Sequence, residues 1–170
     1  NTADLYSLME EADTYKVGII SVAALDFNEK HGKNLAYKAD DGGFTQEGLE
    51  IMKNKIRTIY RLALSNGHDS LVAGAFGCGA FRLPCDVVAA LFNEILAEDE
   101  FRNKFRKITF AILDKDGENG KFSPFYKLFL FCFGHSAAAF FVSLVILGGY
   151  FHNSTDIFFD CLWYNAVFFV

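Results

Sequence analysis

The chain alternates short runs rich in β-branched residues with amphipathic segments, and that order limits its possible folds more than any other feature. "YKVGIISVAAL", residues 15–25, predicts a buried strand over 16–23. "NEKHGKNLAYKADDGG" follows as a polar loop punctuated by glycines and paired aspartates. Thr45 is then placed to cap a helix with apolar positions Leu49, Met52, Ile56, Tyr60 and Ala63. Their three-and-four spacing marks one buried stripe, and "SNG", ending at Gly67, stops the helix. "DSLVAGAF" reads as a second strand, 86–96 as a second helix and "RKITFAILD", 106–114, as a third strand. Strand, helix, strand, helix, strand with short connections predicts an α/β fold. Its crossovers should be right-handed and its sheet mainly parallel, covered on both faces.

Between the second strand and the second helix lies "GAFGCGAFRLPCDVVAALF", residues 74–92, with three glycines within six positions. Ligands of open α/β sheets sit beyond the carboxyl ends of strands, where loops pass into helices. Backbone N–H groups can converge there on an anion, and the following helix adds its positive dipole end. Phe76 and Phe81 flank the glycines and can stack on, or wall off, a ribose or base, so a nucleotide diphosphate fits better than free phosphate. The candidate binding residues are Gly74, Phe76, Gly77, Cys78, Gly79, Ala80 and Phe81. A dinucleotide fingerprint begun at Gly77 fails because Arg82 stands where glycine is needed, and no Gly-Lys-Ser/Thr triplet ends a P-loop. The alternative is a glycine-rich turn that serves only close helix–strand packing. Cys78 reads as a small side chain packed under the turn rather than as a nucleophile, since no histidine neighbours it in sequence.

The net charge of −5 argues against general nucleic-acid binding, which depends on neutralising phosphates. Backbone amides need no net positive charge, so a diphosphate remains compatible with an acidic chain. Cys78, Cys85, Cys132 and Cys161 form no CxxC pair and no zinc-ligand spacing, which points to reduced thiols and no metal. The chain opens at Asn1 without a basic start and apolar core, so no signal peptide is expected, and it reads as a piece of something longer.

"LVAGAFGCGAFRLPCDVVAALFNEIL" closely resembles the phosphate-loop segment of the microbial-type poly(ADP-ribose) glycohydrolases, a branch of the macrodomains. "YKVGIISVAAL" resembles the strand before it, "KIRTIYRLALSNGHDS" the helix leading in, "FRKITFAILD" the strand after it and "GKFSPFYKLF" the closing segment. The likeness runs in order over roughly residues 5–129, with Gly-Cys-Gly-Ala-Phe as its anchor. It implies a three-layer α/β/α macrodomain, present in part, whose ligand is ADP-ribose or poly(ADP-ribose) on modified proteins. By position, Gly77, Cys78, Gly79 and Ala80 would follow the diphosphate and Phe81 would stand against the distal ribose. Arg82 and Leu83 replace a Gly-Asn/Gly stretch, and Leu25 replaces a proline. The family's catalytic Gly-Gly-Gly…Gln-Glu-Glu loop precedes the first of these strands and is missing here. "DDGGFTQEGLE", residues 40–50, imitates it on the wrong side of the strand, where Thr45, Gln46 and Glu47 read as a helix N-terminus. No catalytic residue and no cofactor are assigned. The resemblance implies a fragment of an ADP-ribosyl glycohydrolase that keeps the binding half. A non-catalytic ADP-ribose-binding module, or another nucleotide-diphosphate enzyme on a doubly wound sheet, are the alternatives.

All sixteen Lys and Arg precede Leu128, whereas ten of the twenty Phe follow it. This break divides the chain into a partial macrodomain, 1–127, and an apolar tail, 128–170. Residues 128–151 carry no formal charge and are long enough to span about 30 Å of hydrocarbon. With the basic residues all on one side, such a helix would keep the macrodomain cytoplasmic and leave Asn153 of an "NST" triplet outside. A membrane anchor, a supplement to the core and translated non-coding sequence are the three readings of this tail.

Overall fold

The computed structural model describes residues 11–14, 16–114, 120–121, 123–127, 141–147 and 166–169. Its sheet has five strands: β1 (Ile19–Val22), β2 (Ser70–Ala73), β3 (Lys107–Leu113), β4 (Phe141–Leu147) and β5 (Ala166–Phe169). They lie in the order β1-β5-β2-β3-β4. β2, β3 and β4 are parallel, with Ser70 opposite Lys107 and Lys107 opposite Phe141. β5 runs antiparallel to both β1 and β2, which therefore point the same way. The sheet is mixed, with the parallel part expected from the strand–helix alternation.

Helix α1 (Gln46–Ser65) connects β1 to β2, and α2 (Cys85–Leu96) connects β2 to β3. The apolar stripe of α1 is buried as its spacing predicts: Met52, Ile56, Tyr60 and Ala63 are inaccessible, and Leu49 packs partly against the core. Ile59 is equally buried, because α1 is covered by α2 as well as by the sheet. Tyr60 sits at that junction. Its ring meets Phe92, Phe101 and Phe105 at 5.2–6.1 Å between centroids, and its hydroxyl donates to Phe92 O. Along the helix–helix seam, Lys53, Arg57 and Arg61 pair with Glu94, Glu98 and Glu100. These partly exposed pairs each contribute little, and Glu98 and Glu100 lie just beyond the end of α2.

The strands are half-buried rather than fully buried, which corrects the expectation from their apolar runs. Along β3, buried Ile108, Phe110 and Ile112 alternate with more open residues. Ile20, Leu71 and Ala73 face the core, while Ile19 is 61% exposed and Val72 37%. The cause is the placement of α1 and α2 side by side on one face. Among the described residues no second helical layer covers the other face, so the three-layer arrangement is seen only as two layers.

Of the three readings of the tail, the spanning helix is not seen where the tail is described. Among the described residues no helix is long and apolar enough to cross a membrane. Phe141–Leu147, inside the stretch read as a candidate spanning helix, is instead strand β4, paired with β3 over its full length. "FVSLVIL" is rich in β-branched residues, which suit a pleated sheet. The rest of 128–151, with Asn153, Cys132 and Cys161, lies outside the described residues.

Candidate functional site

The carboxyl end of β1 and the glycine loop after β2 are tied together by main chain and by one buried amide. Phe27 N–H donates to Phe81 O at 2.8 Å, and Asn28 Nδ2 donates to Ala80 O at 2.9 Å. Asn28 is itself fixed: its N–H donates to Asp26 Oδ1, and its Oδ1 accepts from Lys30 N–H. Asp26, only 4% exposed, also receives His31 Nδ1 at 2.7 Å on its other oxygen. Its N–H donates to Asn34 Oδ1. A buried carboxylate is tolerated when its oxygens are this well occupied.

The pins decide which way the peptide planes of the glycine loop face. In a trans peptide the C=O and the next N–H point in opposite directions. Gly79 O accepts from Arg82 N–H at 3.1 Å, so Ala80 N–H is turned the other way. Ala80 O is held by Asn28, so Phe81 N–H is turned away from Asn28. Among the described residues, the N–H groups of Gly79, Ala80 and Phe81 find no protein acceptor. Gly79 is exposed, and Ala80 and Phe81 are half-buried, so these three consecutive donors are within reach of a ligand. Such a run of open amides is a candidate cradle for an anion. α2 opens just beyond it with Pro84 at its N-cap and no side-chain cap, although Asp86 already brings a carboxylate to its first turn. Exposed Arg82 stands at the edge of this run.

The candidate residues take different parts. Gly77 is required by the packing: its φ is +74°, and a Cβ there would lie 2.4 Å from Leu83 Cδ1 and 2.8 Å from Ala24 Cβ. Gly79 has nothing within 4 Å of where a Cβ would stand. Gly74 meets only Ala111 O at 3.8 Å. Phe76 corrects the expectation of two aromatic walls. Its ring is inaccessible and packs edge-on against Phe92, 6.4 Å between centroids, so it belongs to the core. Phe81 is left as the aromatic beside the cradle. Cys78 is buried, with Sγ donating to Phe76 O at 3.6 Å. The hydrogen bond with the Cys85 thiol, together with burial, pushes the Cys78 thiol well above its ordinary range. It is the packed side chain expected, not a thiolate nucleophile.

Two features of the site are absent from the sequence-based assignment. Asp26, Asn28 and His31 fall in a stretch read only as strand end and polar loop, yet they hold the cradle. The signal available was Asp and Asn so close to an apolar strand end, where an unpaired polar side chain is costly. Arg82 has φ +58°, in the left-handed region that favours glycine. That conformation gives a physical reason why the resembling sequences carry glycine there.

Thr45 accepts from Gly48 N–H at 3.2 Å and caps α1, so Gln46 and Glu47 open a helix as expected. Among the described residues, no cluster of three His, Cys, Asp or Glu is arranged to hold a metal ion.

No family model and no curated protein matches the chain. Among solved structures, it is similar to the poly(ADP-ribose) glycohydrolase of Deinococcus radiodurans in complex with ADP-ribose, at 23% identity. The match covers 56% of this chain and 49% of that protein, about half its length, with a TM-score of 0.47.

Proposed function

We propose that residues 1–127 form the ADP-ribose-binding part of a macrodomain of the poly(ADP-ribose) glycohydrolase type, with the diphosphate held by the N–H groups of Gly79, Ala80 and Phe81. The observation that carries this reading is the direction of those amides: their carbonyls are spent on Arg82, Asn28 and Phe27, and three consecutive donors stay open beside a half-buried aromatic. The Gly-Cys-Gly-Ala-Phe sequence at the same place supports ADP-ribose over other diphosphates through its resemblance to that family. The Phe81 ring lies against the distal ribose, and Arg82 reaches the phosphates from the rim. Hydrolysis of the ribose–ribose bond needs a carboxylate poised at the glycosidic oxygen. No residue of this chain is assigned to that step, so the chain binds the ligand and does not cleave it.

Titration of the full chain with ADP-ribose, followed by amide NMR and calorimetry, tests the reading. Gly79, Ala80 and Phe81 amide resonances are expected to shift most, and NAD and ATP to bind more weakly. Binding that leaves these three resonances in place would sink the assignment. Release of free ADP-ribose from poly(ADP-ribose) above background would overturn the absence of catalysis.

A further inference from the structure

A carboxylate is buried on the carbonyl side of the open amides. Asp26 is 4% exposed, and Asn28 bridges it to the glycine loop. Asn28 N–H donates to Asp26 Oδ1 at 2.9 Å, and Asn28 Nδ2 donates to Ala80 O at 2.9 Å. A fixed negative charge there opposes any anion held by the amides of Gly79, Ala80 and Phe81, and burial limits the screening of that opposition. The other oxygen, Asp26 Oδ2, lies 2.7 Å from His31 Nδ1. A carboxylate only accepts, so Nδ1 carries a proton in this contact, and Nε2 is the nitrogen that gains or loses one. The His31 side chain is 31% exposed, which leaves it open to proton exchange with solvent. Main chain holds the turn in either charge state, since His31 N–H and Gly32 N–H both donate to Asn28 O.

We propose that the Asp26–His31 pair links anion binding at the cradle to a proton: with His31 as imidazolium, the chain holds a diphosphate more tightly than with His31 neutral. The imidazolium cancels the Asp26 charge that opposes the ligand. By reciprocity, a bound diphosphate favours uptake of a proton at His31 Nε2. His31 is thus a positioning residue that acts through Asp26 and Asn28, and no bond to the ligand is required of it. The other charged groups about this turn are Glu29, paired with Lys38 at 3.0 Å, Lys30 and Lys33 on the same loop, and Arg82 on the glycine loop. Histidine is the side-chain type that ordinarily changes charge between about pH 5 and 8. The linkage deepens the ADP-ribose reading and rests on it for the identity of the ligand.

Calorimetry of the full chain with ADP-ribose at about pH 8 and about pH 5.5 tests the linkage, because the diphosphate itself does not titrate between them. Affinity is expected to rise about fivefold at the lower pH. His31→Asn keeps a donor toward Asp26, its Nδ2 taking the place of Nδ1, but carries no charge. It should bind at both pH values as the unaltered chain binds at the higher one. Affinity that is the same at both pH values in the unaltered chain overturns the proposal. So does a rise that persists in His31→Asn, which would belong to the Cys78 and Cys85 thiols or to net charge. A second measurement needs neither variant nor ligand: the Ala80 and Phe81 amide resonances should shift with the same midpoint as His31 Hε1. Amides that stay in place while His31 titrates overturn its connection to the cradle. If the chain binds no ADP-ribose at either pH, the functional reading fails, while the ligand-free titration still decides that connection.

Discussion

The loop of residues 39–48 and the loop of residues 74–85 look alike in outline: both bring glycines to the mouth of a helix. Their side chains and backbones are used differently. In the first, Ala39 N–H donates to Gly43 O, Gly42 N–H to Ala39 O and Thr45 N–H to Tyr37 O. Asp41 Oδ1 accepts from Gly43 N–H, and Thr45 Oγ1 accepts from Gly48 N–H. The amides of Ala39, Gly42, Gly43, Thr45 and Gly48 are thus consumed. In the second, carbonyls take the internal bonds and the amides of Gly79, Ala80 and Phe81 stay open among the described residues. Glycine content alone therefore does not mark a candidate anion site; the direction of the peptide planes matters as well. Side chains set that direction. The first loop carries Asp41 and Thr45, short acceptors that bond neighbouring amides, whereas residues 74–83 contain no Asp, Asn, Ser or Thr.

The contrast is broken most forcefully at the glycines. Gly77 and Gly42 both have positive φ, +74° and +87°, but only Gly77 is crowded. Gly77→Ala should cost about 2–4 kcal/mol from backbone strain and overpacking against Leu83 and Ala24. Gly42→Ala should cost about 1 kcal/mol from strain alone. Urea unfolding of the two variants decides it, and equal losses would mean that the second loop is not packed as tightly as described.

Next come the residues that hold each loop. Asn28→Ala removes the donor to Ala80 O and the acceptor for Lys30 N–H, so it should cost about 1–3 kcal/mol. It should also weaken ADP-ribose binding, since the planes of Ala80 and Phe81 are no longer pinned. Thr45→Ala, the corresponding lesion in the first loop, should cost about 1 kcal/mol through loss of the α1 cap. Its ADP-ribose affinity should match the unaltered chain. Calorimetry on both variants sharpens the comparison, and an equal loss of affinity would remove the distinction between the loops.

What was legible in the sequence follows from how local each signal is. The α1 stripe and its Thr45 cap are written in spacing within one helix, and both stand in the structure. Cys78 as a packed side chain was also readable, because no histidine neighbours it in sequence. Phe76 was misplaced because neighbouring aromatics in a turn can face opposite sides, and only the position of Phe92 on α2 draws one ring inward. The pin from Asn28 to Ala80 spans 52 residues and has no periodic signature. The same limit applies to the sheet: strand composition shows that a run is apolar, but not that both helices share one face. β4 was hidden for a related reason, since an uncharged run satisfies both a spanning helix and a strand until a pairing partner is known.

The smallest expected effect sits at the edge of the cradle, where Arg82 occupies the left-handed region at φ +58°. Arg82→Gly relieves about 1–2 kcal/mol of backbone strain. It also gives the unfolded chain more freedom, which takes back about 0.5–1 kcal/mol. The net is a gain of about 0.5–1 kcal/mol. No corresponding gain is available in the first loop, where the positive-φ position is already glycine. If Arg82 contributes its charge to the phosphates, the same variant gains stability while losing ADP-ribose affinity, with the loss shrinking as salt is raised. Stability and affinity moving together in this variant would place the guanidinium away from the ligand and leave the cradle to its backbone amides alone.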